Sequence, residues 1–301
     1  MSVSNESPIV VFGANGQLGS ELQREAARRG MALHAISRSA VDIADAGAVA
    51  AALERVQPSL VVNAAAYTRV DDAESEREKA MLGNVTGPKV LAECCAERGA
   101  ALIHISSDYV FDGTKRGAYS ENDQVAPIGF YGKTKAYGEE AVRNSLDRHV
   151  ILRVSWLYGE FGSNFLKTML RLASQREEIS VVADQHGCPT STRDVTNAIL
   201  AITERVRGRE EVFGTYHFAG DGATTWHGFA SAAIGKFAEL NNKAVRVKAI
   251  TTDQYPTRTK RPENSVLSCE KFERVFGFRG RPWQQEVEEV AESLIRTGDF
   301  A

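Results

Sequence analysis

The sequence predicts an α/β protein, a doubly wound parallel sheet of Rossmann type with a smaller, interleaved C-terminal lobe for substrate. Three observations carry this. Short β-branched runs alternate with longer helical runs over the first 155 residues, the rhythm of a parallel sheet buried between two helix layers. A glycine-rich turn follows the first of those runs directly. Beyond Trp156 the alternation loosens, and Pro256, Pro262 and Pro282 punctuate the tail. The expected division is residues 1–155 for a dinucleotide-binding domain, with 190–220 returning to it, and 156–301 for a loop-rich second lobe.

The elements are read in order from apolar spacing. Ile9–Phe12 is a first strand, and Gln17–Arg29 follows as a helix with Leu18, Leu22 and Ala26 on one face. Leu33–Ile36 and Leu60–Asn63 are the next strands, separated by a helix over Ala46–Arg55. A long helix over Lys79–Arg98 leads to a strand at Ala101–Ser106, and a helix over Lys133–Arg143 leads to a strand at Val150–Val154. In the second half, Asn164–Gln175, Asp194–Arg207 and Trp283–Arg296 read as helices, and Gly214–Ala219 as a strand.

A net charge of −3 and the lack of any basic run exclude a nucleic-acid surface built on bulk charge. The apolar runs are too short to span a bilayer. Met1–Pro8 is polar and does not read as a signal peptide, so the expected setting is cytoplasmic. Cys94, Cys95, Cys188 and Cys269 have neither disulfide-framework nor metal-knuckle spacing. They are expected to be reduced thiols, mostly buried, with no metal bound.

Gly13-Ala14-Asn15-Gly16-Gln17-Leu18-Gly19 closes the first strand and opens the first helix. Such a turn brings backbone close to a pyrophosphate and aims free N–H groups at it from a positive helix end. The second strand ends in Ile36-Ser37-Arg38-Ser39, with no carboxylate for a ribose 2′-hydroxyl. Arg38 is placed to clamp a 2′-phosphate and Ser37 to donate to it. That favours NADP(H) and leaves NAD(H) as the alternative. Asp42 and Ile43 are expected beside the adenine. Ala64, Ala65, Ala66 and Tyr67, after the third strand, let a cofactor lie against the backbone.

Tyr131 and Lys135 are four residues apart at a helix start, and Ser107 ends the strand before it. Hydride transfer to a ketone leaves charge on oxygen, so a proton donor is needed there. A free phenol, with a pKa of about 10, is too weak an acid, and a nearby ammonium lowers that value. Tyr131 is therefore expected as the proton donor, acidified by Lys135, which also bonds the nicotinamide ribose. Ser107 is expected to hold the substrate oxygen, and Asn84 to anchor a water that relays the proton.

These residues resemble those of the extended short-chain dehydrogenase/reductases, and more narrowly the dTDP-4-dehydrorhamnose reductase family. The resemblance runs from Ile9 to Trp283. It rests on Asn63-Ala64-Ala65-Ala66-Tyr67-Thr68, Ser107-Asp108-Tyr109-Val110-Phe111-Asp112-Gly113, Tyr131-Gly132-Lys133-Thr134-Lys135, Arg153-Val154-Ser155-Trp156-Leu157-Tyr158-Gly159, Asp184-Gln185-His186-Gly187-Cys188-Pro189-Thr190 and Arg261-Pro262-Glu263-Asn264-Ser265. It implies an NADP(H)-dependent reductase of a dTDP-keto-sugar whose substrate is bordered by Val70, Ser107, Asp108, Tyr109, Val110, Phe111, Trp156, Asn164, Arg261 and Asn264. The family usually has Thr where Ser107 stands, and serine keeps the hydroxyl. Some members form a dimer around magnesium held by glutamates. Glu21 and Glu288 or Glu289 match that pattern, but Arg193 stands where a third carboxylate belongs and cannot ligate a hard cation. A monomer or weak homodimer is therefore expected. The alternatives are a reductase of another nucleotide-linked 4-keto-6-deoxysugar, or a non-catalytic NADP-binding regulatory subunit.

Overall fold

The computed structural model describes residues 8–208 and 212–300. The N-terminal segment read above as lacking an export signal lies outside them, save Pro8, as do residues 209–211 within the expected return of 190–220. Five parallel strands, β1 (Ile9–Phe12), β2 (Leu33–Ile36), β3 (Leu60–Asn63), β4 (Ala101–Ser107) and β5 (His149–Val154), form one sheet, completed at its edge by Gly214–Phe218. β1 pairs with β2 on one side and β3 on the other, Phe12 facing Ile36 and Asn63. The direction of winding reverses between β1 and β3, and the ligand crevice of such sheets opens there, beyond the strand C-termini.

Every residue of β1 and β3 is buried, as expected for central strands covered on both faces. Helices Gln17–Arg29 and Thr192–Arg207 cover one face, setting Leu18, Leu22, Val195 and Ile199 against Val11, Val62 and Ile103. Val49, Leu53, Leu91 and Val142 cover the other. Residues 192–207 and 214–218 thus pack with the first sheet, and Phe272 and Phe276 of the Glu270–Phe276 helix join the same core.

Two elements differ from the sequence reading. The helix over 79–98 is broken into Arg77–Met81, a π-turn at Leu82–Thr86 and a helix Gly87–Arg98. Pro88 has no N–H to give to the carbonyl four residues back, at Asn84, so the regular ladder cannot run through. The second lobe is not loop-rich. Helices Phe165–Gln175, Trp226–Asn241 and Trp283–Thr297 share a core with Leu166, Leu170, Phe229, Ala233, Val287 and Leu294. Strands Glu178–Val182 and Arg246–Ile250 pair in parallel beside it. The four cysteines are free thiols, three of them buried. Among the described residues no helix is long and apolar enough to cross a membrane.

Candidate active site

Gly13 takes φ +89°, and a Cβ there would lie 2.6 Å from the Ala65 amide nitrogen. A Cβ on Gly19 would lie 2.2 Å from the Gly13 carbonyl oxygen. Only glycine fits at either place, so the turn can lie flat across the ends of β1 and β3. Gly16 begins the helix with no capping side chain and no acid in the first turn, which leaves the first N–H groups available to an anion. Asn15 and Gly16 are exposed, and Gln17 is half-buried. Leu18 points its side chain into the core, so only its backbone can serve a cofactor.

Gly13, Arg38, Asp42, Ile43, Ala65, Ala66 and Tyr67 line one cavity of about 90 Å³, as expected for a nucleoside seat. Ala64 lies beneath Gly13. Val41, Lys79, Leu82 and Gly83 line it too and were not singled out from the sequence; the π-turn is what swings Leu82 and Gly83 into it. Arg38 is 85% exposed and reaches the Asp42 carboxylate at 3.9 Å. Ser37 shares a hydrogen bond with Ser39 at 2.9 Å.

At the end of β4 the chain turns through a short 3₁₀ segment, Asp108–Val110, capped by Ser107. Ser107 Oγ accepts from the Tyr109 amide at 3.1 Å and donates to Asp108 Oδ1 at 2.8 Å. Tyr131 is the second residue of the Phe130–Ser145 helix, its phenol within electrostatic reach of Ser107 and Asp108. Its ring meets that of Tyr109 edge-on at 5.8 Å. A Cβ on Gly132 would lie 2.2 Å from the Tyr109 carbonyl oxygen, so glycine is what lets the helix start press against this turn. Lys135, one helical turn on, is 2% exposed and donates to the Ile105 carbonyl at 2.7 Å. An ammonium has three hydrogens, which leaves two for other acceptors.

The expected acidification of Tyr131 by Lys135 is not what the structure holds. Burial, reinforced by the Asp108 charge, pushes the phenol up, and the nearby Ser107 hydroxyl only partly opposes it. Burial in turn lowers Lys135 to about 8, against the pull of Glu139. Desolvation penalises both charged forms, so phenol and amine are each held nearer to neutrality.

Several expected contacts are corrected by the geometry. Asn84 is fully buried with its amide spent: Oδ1 accepts from the Tyr67 amide, and Nδ2 donates to the Tyr67 carbonyl and Thr134 Oγ1. It has no donor left for a relay water. Val110 and Phe111 have no exposed surface. Phe111 stacks on Tyr119 at 4.3 Å and lies under the Arg153 guanidinium, so it is core rather than sugar wall. Asp108 is 2% exposed and also accepts from Ser155 Oγ at 2.9 Å. Asn164 caps the Phe165–Gln175 helix and donates to the Gly159 carbonyl. Asn264 donates to the Lys115 and Gly117 carbonyls, tying down a loop.

Val70 packs with Tyr67, Tyr109 and Tyr131. Trp156 adopts φ +46°, rare for a bulky side chain, and stacks on Trp226 at 3.6 Å. Arg261 bonds Asp71 at 2.8 Å and lines a cavity of about 810 Å³ with Phe165, Met169, Trp226 and Tyr255. That volume suits a nucleotide-sized ligand.

The buried groups behind the site were not legible beforehand. Glu139 and Arg153, 0% and 1% exposed, form a two-pronged pair at 2.8 and 2.6 Å, with Ser106 Oγ donating to the same carboxylate at 2.6 Å. Burial alone would raise Glu139, but the Arg153 contacts hold it below the usual carboxylate range.

Comparison with known proteins fits this arrangement. The model of the RmlD substrate binding domain family matches residues 7–296. The chain belongs to that family of dTDP-4-dehydrorhamnose reductases. It is 39% identical over 295 residues to the dTDP-4-dehydrorhamnose reductase of Sinorhizobium fredii, covering 97% of this chain and 99% of that one. The crystal structure of such a reductase from Clostridium acetobutylicum superposes with a TM-score of 0.88 at 36% identity, covering 95% of this chain and 99% of that one. A Bacillus anthracis reductase, solved in complex with NADP, gives 0.88 at 35%, covering 96% and 99%. Within this reductase family, the glutamates read as a possible magnesium site are here engaged by arginines. Arg24 bonds Glu21 at 2.7 Å, and Arg193 reaches Glu289 at 3.3 Å and Glu160 at 3.5 Å.

Proposed function

We propose that this protein reduces the C4 ketone of dTDP-4-dehydro-6-deoxy-L-mannose to give dTDP-L-rhamnose, using NADPH. The observation that carries the reading is Tyr131 and Lys135 one turn apart on a helix and Ser107 at the end of β4, in a sheet whose first strand closes in a glycine turn that leaves helix N–H groups free. A reduced nicotinamide supplies the hydride. Gly13, Gly16 and Gly19 would hold its pyrophosphate, Ala65, Ala66 and Ile43 its adenosine, and Arg38 with Ser37 a 2′-phosphate. Tyr131 gives its proton to the ketone oxygen, and Ser107 keeps that oxygen in line. Lys135 has two unused hydrogens for the ribose and for the charge that grows on the phenol. The aromatic wall of Trp156 and Trp226, with Arg261 at its edge, receives the dTDP-sugar.

NADPH is preferred over NADH because Arg38 stands at the end of β2 where an acid would repel phosphate. With Arg193 bridging Glu160 and Glu289, the protein works as a monomer without a metal. Both substrates place the reaction in the cytoplasm.

The test is loss of reduced-nicotinamide absorbance with the dTDP-keto-sugar, followed by NMR of the product. Rhamnose configuration at C4 is expected, and the C4 epimer would reject the proposed product. Tyr131→Phe should lower kcat by about 10²- to 10⁴-fold with cofactor affinity nearly unchanged. Near-full turnover by that variant would remove the phenol from the chemistry.

A further inference from the structure

The dinucleotide seat and the large cavity of the second lobe meet through a pair of side-chain amides. Gln17 opens the Gln17–Arg29 helix, whose first N–H groups are open to an anion. Asn164 caps the Phe165–Gln175 helix, whose Phe165, Thr168, Met169 and Leu172 line the cavity of about 810 Å³. Asn164 Nδ2 donates to Gln17 Oε1 at 3.2 Å and to the Gly159 carbonyl at 2.9 Å. Asn164 Oδ1 accepts from the Lys167 amide at 3.1 Å. Both ends of the Asn164 amide are thus engaged, and one of these bonds crosses from the second lobe to the first.

The turn that carries Asn164 is laid along the first helix. Gly162 takes φ +63°, and a Cβ there would lie 2.9 Å from Gln17 Cγ and 3.8 Å from the Gln17 amide nitrogen. Further along, Arg24 pairs with Glu160 and lies over the Phe161 ring at 5.0 Å. Gln17 and Arg24 are seven residues apart and so share a helix face, which holds the turn at two places. Gln17 is half-buried. Its Oε1 is bonded to Asn164, and its Nε2 has no acceptor among the described residues.

We infer that Gln17 and Asn164 are positioning residues that couple the two ligands, so that a dinucleotide on the first helix tightens the hold on the sugar nucleotide. The inference rests on the reductase reading above. A glutamine amide has one acceptor end and one donor end. With the oxygen on Asn164, the –NH₂ is left for a pyrophosphate oxygen at the helix N-terminus. A phosphate held there fixes the Gln17 rotamer. The fixed Oε1 then fixes Asn164, and with it the first turn of the helix that lines the cavity.

Ordering a long side chain costs entropy. Whichever ligand binds first meets that cost, and the second binds to a bridge already ordered. The effect is reciprocal by linkage. Its scale is that of one neutral hydrogen bond, equivalent to about a fivefold change in an equilibrium constant. The Arg24–Glu160 pair does not carry it: Arg24 is also bonded to Glu21 and lies two turns from the helix N-terminus, so it holds the turn with or without a phosphate.

The experiment uses the full chain as wild type, Asn164→Ser and Gln17→Met, with NADP⁺ and dTDP as probes. Serine still caps a helix but is too short to reach Gln17, and methionine keeps the length of Gln17 without its amide. Calorimetric titration gives each affinity alone and with the other probe saturating. In wild type each probe should tighten the other by the same factor, about fivefold. In Asn164→Ser the factor should fall close to one, with each affinity alone kept within about twofold. Gln17→Met should lose the factor too, and the double variant should lose no more than either single change. At saturating NADPH, Asn164→Ser should raise KM for the dTDP-keto-sugar about fivefold and leave kcat within about twofold. NADP⁺ should slow amide exchange over residues 164–168 in wild type and not in Asn164→Ser. A lowered melting temperature with the coupling factor intact leaves Asn164 a helix cap alone and overturns the inference, as does a wild-type factor of one. A wild type that binds NADP⁺ but not dTDP overturns the functional reading on which the inference rests.

Discussion

Replacing Glu139 by Gln tests whether the buried charges behind the site serve stability, chemistry or both. The carboxylate accepts from Ser106 Oγ and Arg153 Nε on one oxygen, and from Arg153 and Arg143 on the other. An amide keeps one acceptor oxygen and turns its –NH₂ toward donors, so at least one charge-assisted bond is lost and Arg153 stays buried with no counter-ion. Breaking a buried pair in this way costs about 3–5 kcal/mol, a large share of the roughly 5–15 kcal/mol typical of a fold. The melting temperature should fall on the order of 10 °C.

The same change acts on Lys135. Its ammonium, already lowered to about 8 by burial, keeps Glu139 as its stabilising charge. At that value it is about nine-tenths protonated at pH 7, and a further drop of one unit would leave about half. The alkaline fall in kcat should therefore begin at lower pH in Glu139→Gln. The double variant Glu139→Gln/Arg153→Met separates the two effects. Removing both members of a buried pair often restores stability, yet Lys135 still lacks its counter-charge. Calorimetry and kcat against pH together decide it. If the double variant is stable and its alkaline limb stays at the wild-type position, Glu139 does not hold the Lys135 proton.

Arg38→Ala should raise KM for NADPH about tenfold, the equivalent of about 1.4 kcal/mol, and leave KM for NADH within twofold. Equal changes for the two cofactors would remove the 2′-phosphate from the Arg38 environment. Phe111→Ala should cost about 3–5 kcal/mol of stability, read by urea titration, with KM for the sugar unchanged in the folded fraction. A selective rise in that KM would return Phe111 to the substrate wall.

The sheet was legible because its signals are local and repeat. β1 and β3 are continuous apolar runs, and the glycine turn sits where a strand meets a helix. The second lobe was harder because its packing is not local. Glu178–Val182 is a five-residue strand whose only paired partner in its sheet, Arg246–Ile250, lies some seventy residues on. The Trp226–Asn241 helix carries small residues, Ala230 and Ala233, where neighbouring helices approach, and these weaken any apolar stripe. The π-turn at 82–86 leaves one trace, the missing N–H of Pro88, and a single proline inside a helical pattern usually reads as an end rather than a bulge.

The active-site residues were legible as types and less so as directions. Ser107 to Phe111 reads as one polar-aromatic run, and treating it as a wall assigns all five side chains to substrate. The 3₁₀ segment that follows β4 divides them. Its tight winding sends Asp108, Val110 and Phe111 inward and leaves Tyr109, with the edge of Ser107, toward the cleft. Burial then changes what Asp108 can do. An exposed aspartate would stay ionised and bond a sugar hydroxyl, whereas burial pushes this one up to about 6 against the hydroxyl and backbone donors that pull it down. The same desolvation raises the phenol of Tyr131 and lowers the amine of Lys135. A phenol raised in this way does not wait as phenolate; it stays protonated until the ketone oxygen takes its hydrogen. Desolvation thus holds phenol and amine near neutrality, and the site works from an uncharged phenol beside the amine rather than from a phenolate poised in advance.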